Sequence, residues 1–426
     1  MKKKQPQSQV TVVKQLIAKH RLQILVFVAG FLIIFLRRPD ALLTPQFWAE
    51  DGVAFFAVAY NHSFGLGTLF MPYAGYFQLF PRALSLLGSL IGLKYMPFVF
   101  TVFAISFQVL PLMYLWSERF GEIVKTNKLR ILISLIYLCL PYTQEVSSNA
   151  TNSQWYLAIA AFLIICITES KSRITKFFDY LVLTLAGLSG PFSILLAPIA
   201  FLEWFRLRRK ENLVRLSIIV GCALLNIVNI LFIDNSVRGS AYLGASLSKF
   251  LDIMGAQVFT AGLFGYKSSA WVLNNSWLAP AIAIVGMAMM GYALLRGPRQ
   301  LRLFILFGLL IFFAALFFPT SSNSSTGLWS IFLEKGATGR YFFILHMALF
   351  LILIWLIKSR TILRAAPAVL LILSFIIGLP ADFKYPAIRD LHFQTYAQKL
   401  NLLHPGQTER IPINPDPAWD ITLTKH

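Results

Sequence analysis

The chain has 426 residues, of which 57% are hydrophobic and only 13% charged, and its formal net charge is +20. One water-soluble core of this length cannot hide so much apolar surface, which excludes an ordinary soluble protein. The basic residues form short clusters between apolar runs, as a membrane-topology signal does, so the positive charge does not indicate a nucleic-acid partner.

Long apolar runs recur along the chain, and they fit a bilayer core of about 30 Å. Each run must be helical, because an open strand leaves backbone N–H and C=O groups unpaired in lipid. In chain order the runs predict membrane helices over residues 22–36, 95–116, 131–141, 155–168, 216–233, 277–295, 303–318, 341–357 and 361–379.

A further apolar run, 177–205, is interrupted by Gly and Pro residues at 187–191. Each arm is short for a span, so the run is either two short helices or a re-entrant pair. The predicted fold class is therefore an all-α, polytopic transmembrane helical bundle with nine spans plus this pair, or with eleven spans. The sequence contains no internal repeat of the kind found in many transporters.

The distribution of positive charge predicts the orientation. Of the 38 Lys and Arg residues, 24 lie before or between alternate spans, which places the N-terminus inside and the C-terminus outside. The transmembrane module covers 1–380, and a polar periplasmic tail follows at 381–426. The middle of one outer loop, 250–263, is apolar enough to lie on or dip into the membrane. The outer loops are 37–94, 142–154, 234–276 and 319–340.

The first outer loop contains two adjacent carboxylates, Glu50 and Asp51, followed by Gly52. Their mutual repulsion raises the pKa of one of them, which suits a general base. We favour Asp51 as the base, because Gly52 beside it lets the backbone approach a substrate closely, and we assign acceptor binding or orientation to Glu50. The alternative is a solvated pair of loop acids.

A polar stripe follows in the same loop. Gln78, Arg82, Ser85 and Ser89 are spaced 4, 3 and 4 residues apart in an apolar stretch, so a helix would present them on one face. Such a helix lies along the outer interface or lines a cavity, and Arg82 would face an anion such as a phosphate. The alternative is an arginine that snorkels to lipid headgroups.

The loop 142–154 and the residue after it carry Glu145, Asn149, Asn152 and Trp155. A carboxylate, amides and an indole at the bilayer edge suit the recognition of sugar hydroxyls. The alternative is interfacial anchoring by Trp155 and loop capping by the Asn residues.

The loop 319–340 ends in a basic, Gly-rich approach to a helix, with Lys335, Arg340 and Tyr341. Arg340 lies at the helix N-terminus, where free N–H groups and the helix dipole also favour an anion. The competing interpretation is a structural helix start with an interfacial Tyr341.

These features resemble the GT-C superfamily of integral-membrane glycosyltransferases. More closely, the chain looks like the phage-type serotype-converting O-antigen glucosyltransferases and their bacterial relatives. The similarity covers most of the chain in layout but is specific only in short motifs. These motifs are WAEDG at 48–52, YAGY at 73–76, PR at 81–82, NATNSQW at 149–155 and IPINP at 411–415 with Trp419.

The resemblance implies transfer of a hexose, with glucose as the first candidate, from a polyprenyl-phosphate donor to a lipid-linked or surface polysaccharide such as lipopolysaccharide. It implies a multi-pass protein of the bacterial inner membrane whose active site faces the periplasm. No cofactor besides the donor lipid is required, no metal ligands are assigned, and a divalent metal stays open. A flippase or polymerase of lipid-linked glycans is the alternative, and a non-catalytic scaffold is a third.

The resemblance also assigns roles to residues. Glu50 and Asp51 take the position of the base, and Arg82 and Arg340 that of the donor-phosphate ligands. The remaining candidates for substrate contact are Trp48, Tyr73, Tyr76, Gln78, Glu145, Asn149, Asn152, Trp155, Lys335 and Tyr341.

Overall fold

The computed structural model describes residues 9–232, 242–319, 327–334, 338–358 and 364–426. The protein is mostly helical, with 72% helix against 5% strand. The predicted helical bundle is thus confirmed in its coarse form. The structure is compatible with the predicted all-α bundle, and the tail adds two strands that pair as an antiparallel hairpin.

The helices coincide with the predicted apolar runs and add short pieces between them. They are α1 (Gln9–Arg37), α2 (Asp40–Leu43), α3 (Ala57–Asn61), α4 (Leu79–Leu86), α5 (Met96–Leu115), α6 (Asn127–Cys139), α7 (Ser153–Cys166), α8 (Arg173–Gly187), α9 (Phe192–Leu207), α10 (Lys210–Phe232), α11 (Leu247–Asp252), α12 (Ala261–Phe264), α13 (Tyr266–Leu273), α14 (Leu278–Arg296), α15 (Arg299–Phe317), α16 (Gly339–Lys358), α17 (Ala365–Leu373), α18 (Leu379–Ala381) and α19 (Phe393–Leu402). The strands are β1 (Thr408–Ile413) and β2 (Trp419–Thr424).

Irregular helical turns connect these elements. Wide, π-type turns cover Asp51–Phe56, Ile253–Thr260 and Ser374–Gly378, and 3₁₀ turns cover Leu66–Phe70, Leu87–Ser89, Leu93–Tyr95, Glu118–Phe120 and Leu328–Leu333.

Within the described residues, six helices are long and apolar enough to cross a membrane. They are His20–Arg37, Leu93–Leu115, Lys210–Phe232, Leu278–Arg296, Arg299–Phe317 and Gly339–Lys358. Large apolar side chains such as Leu25, Leu224 and Val285 are exposed on them, as lipid-facing surfaces require. Helix α7 and the segment Ala365–Ala381 are apolar but shorter, so the number of spans stays a prediction.

The predicted interruption at 187–191 is a break between α8 and α9. The side chain of Asn226 in α10 donates to the carbonyl oxygen of Gly190 and accepts the N–H of Phe77, which joins the break to the first outer loop. Near the middle of α8, Asp179 pairs with Arg119 in the connection between α5 and α6. The interrupted run is therefore two helices, and whether each crosses the membrane stays a prediction.

The apolar part of the loop 234–276 belongs to the core of the bundle. Every residue of the turn Ile253–Thr260 is buried, and the turn packs against α14 and α16. Gly255 permits this packing, because a Cβ there would lie 1.9 Å from the carbonyl oxygen of Ala279.

The tail, predicted only as a polar segment, folds over the first outer loop. It forms α19 and the β1–β2 hairpin, whose inward apolar side chains join the main core. Asn414 then pairs with the loop as a strand does: its N–H donates to the carbonyl oxygen of Phe47, and its own carbonyl oxygen accepts the N–H of Ala49. The tail therefore fixes the backbone that leads to Glu50.

Candidate functional site

A cavity of about 380 Å³ lies where the first outer loop, the loop 142–154, the α8–α9 break and the start of α16 meet. The fold thus gathers motifs from distant parts of the sequence. The proposed site residues on its wall are Glu50, Tyr73, Tyr76, Gln78, Asn152, Trp155, Arg340 and Tyr341.

Other proposed residues do not line this cavity: Trp48, Asp51, Arg82, Glu145 and Asn149. Lys335 lies outside the described residues. Trp48 instead packs against Arg38, whose guanidinium carbon is 4.9 Å from the indole centroid. The Asn149 amide donates to the carbonyl oxygens of Glu145 and Ser147, so it shapes its own loop.

Asp51 joins the first outer loop to the loop 142–154. Its Oδ2 accepts the N–H of Ala150 at 2.9 Å, and its Oδ1 accepts the N–H and the hydroxyl of Thr151 at 2.7 and 2.6 Å. Burial raises the pKa of Asp51 to about 7, while these donors act in the opposite direction by stabilising the carboxylate. With both oxygens occupied, Asp51 is placed to brace the loop, and its assignment as the base stays a prediction that this geometry does not favour.

Glu50 is the carboxylate that faces the cavity. Ala49 before it adopts a left-handed conformation, with φ of 42°, directly after the pairing with Asn414. Because of this bend, the two adjacent carboxylates point in different directions. Asp51 is hydrogen-bonded to the loop 142–154, and Glu50 lies on the cavity wall. In the described part of the chain the Glu50 carboxylate has no hydrogen bond or ion pair.

Arg82 is buried one turn away from the cavity residue Gln78. Its guanidinium packs 5.5 Å from the ring centroid of Phe55, and its Nη2 donates to the carbonyl oxygen of Pro72 at 3.4 Å. Its Nε and Nη1 have no partner among the described residues, and burial lowers the pKa of Arg82 to about 10. A side chain this buried does not snorkel to headgroups, so the structure contradicts that alternative.

Arg340 lies on the cavity wall and is held there by Glu145. Its Nη1 is 2.5 Å from Glu145 Oε1, and its backbone N–H donates to Oε2 at 2.9 Å. The guanidinium also lies 4.9 Å from the ring centroid of Tyr341. Glu145 therefore caps the first turn of α16 and positions Arg340, a role different from the predicted contact with sugar.

Two buried polar atoms on the wall lack partners in the described structure: Gln78 Oε1 and Trp155 Nε1. Buried polar atoms are usually hydrogen-bonded, so an unpaired one indicates a place that a ligand or water completes. One of these atoms accepts and the other donates. A hydroxyl group, which both donates and accepts, suits either atom.

Tyr73 and Tyr76 close a tight turn, in which each N–H donates to the other residue's carbonyl oxygen at 3.0 and 3.3 Å. Burial raises the pKa of Tyr73 to about 12; the Glu50 carboxylate adds to this effect and Arg340 opposes it. The three groups therefore lie within electrostatic reach of one another. The polar part of the lining combines a carboxylate, a phenol and a guanidinium.

Part of the cavity lining is apolar, and it was not predicted from the sequence. It consists of side chains near the ends of α9, α10 and α15: Ile194, Leu195, Ile230, Ile311, Ala314, Ala315 and Phe318. Such residues carry no sequence signal, because every membrane helix is rich in them. The interruption at 187–191 was visible, but nothing in the sequence linked it to the site.

Within the described ranges, no group of three or more His, Cys, Asp or Glu side chains is placed to hold a metal ion. Comparison of the chain with known protein families, curated proteins and solved structures found no match. The resemblance to GT-C enzymes therefore rests on the short motifs alone, and what it implies stays a prediction.

Proposed function

We propose that this chain is a glycosyltransferase that moves a hexose from a polyprenyl-phosphate donor to a glycan acceptor at the outer face of the bacterial inner membrane. The observation that carries the proposal is the mixed lining of the cavity. It combines the polar residues Glu50, Tyr73 and Arg340 with apolar side chains of α9, α10 and α15. A lipid-linked sugar has the matching division into a polar head and an apolar chain.

The surroundings of the apolar lining support a lipid donor. Phe232 at the end of α10 is 78% exposed, and Phe318 just after α15 is 67% exposed. Aromatic side chains left open beside a cavity fit contact with lipid better than contact with water. A donor therefore has an apolar approach to the cavity from the membrane.

In the proposed reaction, Glu50 is the general base. Its carboxylate accepts the proton of the acceptor hydroxyl while that oxygen bonds to the anomeric carbon and the bond from this carbon to the phosphate oxygen breaks. The bonding electrons leave with the lipid phosphate, and the configuration at the anomeric carbon inverts. A phosphate leaves readily as an anion, so the scheme needs no general acid.

Two arginines favour the departing anion. Arg340 is on the wall, its ion pair with Glu145 fixes the guanidinium, and its Nη2 donates to the Tyr341 hydroxyl at 3.3 Å. Arg82 has two nitrogen atoms without partners among the described residues and adds positive potential one turn behind Gln78. Gln78 and Trp155 supply an acceptor and a donor for a sugar hydroxyl.

The experiment begins with glycan mass spectrometry of a host with and without this gene, which identifies the added hexose. Transfer is then measured in membranes containing equal amounts of wild type, Glu50→Gln and the control Glu122→Gln, an exposed acid in another loop. We expect Glu50→Gln to lose activity on the order of 10²-fold or more and the control to keep it. Wild-type transfer by Glu50→Gln overturns the base assignment, and unchanged glycans overturn the transferase.

A flippase or polymerase of the same lipid-linked glycans is the second candidate. Transporters bury charges at mid-membrane. In the six long helices, as far as these are described, the buried Asp, Glu, Lys and Arg side chains are Arg37 and Arg215, both near helix ends, and α16 also buries His346. In the shorter α8 and α9 the buried Asp179 and Glu203 are each paired with an arginine, so no unpaired carboxylate, lysine or arginine is buried at mid-helix in these described helices. This favours chemistry at the surface.

The orientation of the chain is tested with reporter fusions. A reporter fused after His426 should be outside the cell membrane, and one fused after Lys171 should be inside. A cytoplasmic C-terminus overturns the outer-face assignment.

A further inference from the structure

A second cavity, of about 320 Å³, lies between the helices α5–α7 and α15–α16. It follows α16 from Met347 to Lys358, a rise of about 16 Å along the helix axis. Arg340, which belongs to the candidate site, is at the other end of the same helix. The second cavity is therefore separate from the proposed active site and takes no part in the reaction.

The polar groups of this cavity lie at its mouth. Lys358, the last residue of α16, is the one charged side chain among its described lining residues, and Gln300 lies in the first turn of α15. Deeper inside, the Tyr137 hydroxyl already donates to the carbonyl oxygen of Gln108. The rest of the lining is almost entirely Leu, Ile, Phe and similar side chains. The interior of the cavity is therefore apolar, and its mouth is cationic.

More positive charge surrounds the mouth. The lining residues Val124 and Leu129 flank a stretch that contains the exposed side chains of Lys125 and Lys128. The exposed acids near this stretch are Glu118 and Glu122, which precede it. Cations therefore outnumber acids around the opening, which favours an anionic group there.

We propose that this groove binds one acyl chain of an anionic phospholipid, whose phosphate lies against Lys358. An apolar groove of this size forfeits dispersion contacts when it is empty, and an acyl chain restores them. The length of the groove suits a chain that enters at the membrane surface and extends toward the bilayer centre. The lysines favour a negative headgroup, and each lysine raises the affinity for the anionic lipid about fivefold.

Native mass spectrometry of the purified full-length protein tests the proposal. The probes are phosphatidylglycerol and phosphatidylcholine with identical acyl chains, added separately to the detergent. We expect wild type to retain phosphatidylglycerol preferentially, Lys358→Gln to lower its retention about fivefold, and Lys358→Arg to keep it. The control Lys384→Gln, an exposed residue of the tail, should bind as wild type does.

Filling the groove separates chain binding from headgroup attraction. Leu351→Trp adds bulk to the lining and should abolish retention of both lipids, whereas Lys358→Gln should affect phosphatidylglycerol alone. Leu163→Phe on the opposite wall serves if the first variant is not produced. Equal retention of both lipids by wild type, or unchanged retention in the filled variants, overturns the proposal. Neither result depends on glycosyl transfer, so the proposed function is tested separately.

Discussion

The two ends of the helical bundle differ in how their charged side chains are paired. At the end formed by the α5–α6 and α7–α8 connections, carboxylates form ion pairs with arginines. Asp179 lies 2.6 Å from Arg119, and Glu203 lies 2.6 Å from Arg299. Both carboxylates are buried. Buried charges of this kind are stable only when they are paired, and here each acid has a guanidinium beside it.

At the end that carries the candidate site, pairing is incomplete. In the part of the chain that the structure describes, Glu50 has no partner, Arg82 uses one of its three nitrogen atoms, and Gln78 and Trp155 each leave one polar atom unpaired. A fold selected only for stability would not leave these groups together. The other end is not fully paired either, because the buried Arg215 leaves its Nε without a partner among the described residues. What distinguishes the candidate site is that its unsatisfied groups lie on or beside one cavity, which indicates a ligand, whereas the paired carboxylates act as braces.

The largest effect should come from breaking a brace. Asp179→Asn leaves the guanidinium of Arg119 without its carboxylate and should lower the free energy of unfolding by about 3 kcal/mol, seen as a lower melting temperature in detergent. Glu169→Gln is the control, because its partner Lys176 is far more exposed and surface pairs contribute little. Equal destabilisation by both variants would contradict the distinction between buried and surface pairs.

The opposite result is expected for Arg82. Arg82→Met removes a buried cation that has no carboxylate partner, so the melting temperature should not fall, while transfer should drop on the order of tenfold or more through lost phosphate attraction. Arg82→Lys should also weaken transfer at low donor concentration, because it lacks the planar guanidinium. Full activity of Arg82→Met with lowered stability would make Arg82 a structural residue.

A smaller effect is expected from the unpaired atoms on the wall. Gln78→Leu and Trp155→Phe each remove one hydrogen bond to a neutral sugar hydroxyl, which should raise KM for the donor up to about tenfold with little change in kcat. Steady-state kinetics in proteoliposomes measures both constants. If kcat falls and KM stays unchanged, the two side chains act on the chemical step instead of on binding.

The smallest effect concerns pH. Because the pKa of Asp51 in the folded protein, about 7, lies above its ordinary value, the folded state holds this proton more tightly than the unfolded state. The contribution of this Asp51 proton to the free energy of unfolding is fully present at acidic pH, and it is lost as the pH rises toward and through 7. The melting temperature should therefore fall by a few degrees between pH 5 and pH 8 in wild type and less in Asp51→Asn. Identical pH profiles would show that Asp51 stays ionised throughout.

Much of the fold was predictable, because lipid leaves few alternatives. Helices α1, α5 and α10 lie where long apolar runs predicted them, since such runs must satisfy their own backbone hydrogen bonds in a membrane. The interruption at 187–191 was also visible as Gly and Pro residues. The strands β1 and β2 were not predicted, because a short hairpin rich in Thr and Pro resembles an irregular tail in sequence.

The residues of the candidate site were predictable from the sequence, but the directions of their side chains were not. The sequence places Glu50 and Asp51 side by side, yet which one faces the cavity depends on the backbone bend at Ala49 and on donors in Ala150 and Thr151, 99 and 100 positions from Asp51. The polar stripe likewise predicted a common face for Gln78 and Arg82. It did not show that one side chain reaches the cavity and the other stays buried.

The contact between the tail and the first outer loop has a consequence for how the protein is made. Asn61, just beyond the loop's acids, donates to the carbonyl oxygen of Thr422, which is 361 positions later in the chain, and Asn414 pairs with the backbone before Glu50. The helices can insert into the membrane one after another as they leave the ribosome. Glu50 acquires its direction only when the tail has been synthesised and has folded onto the loop. On the proposed function, a nascent chain therefore holds no working base, and activity begins only with completed molecules.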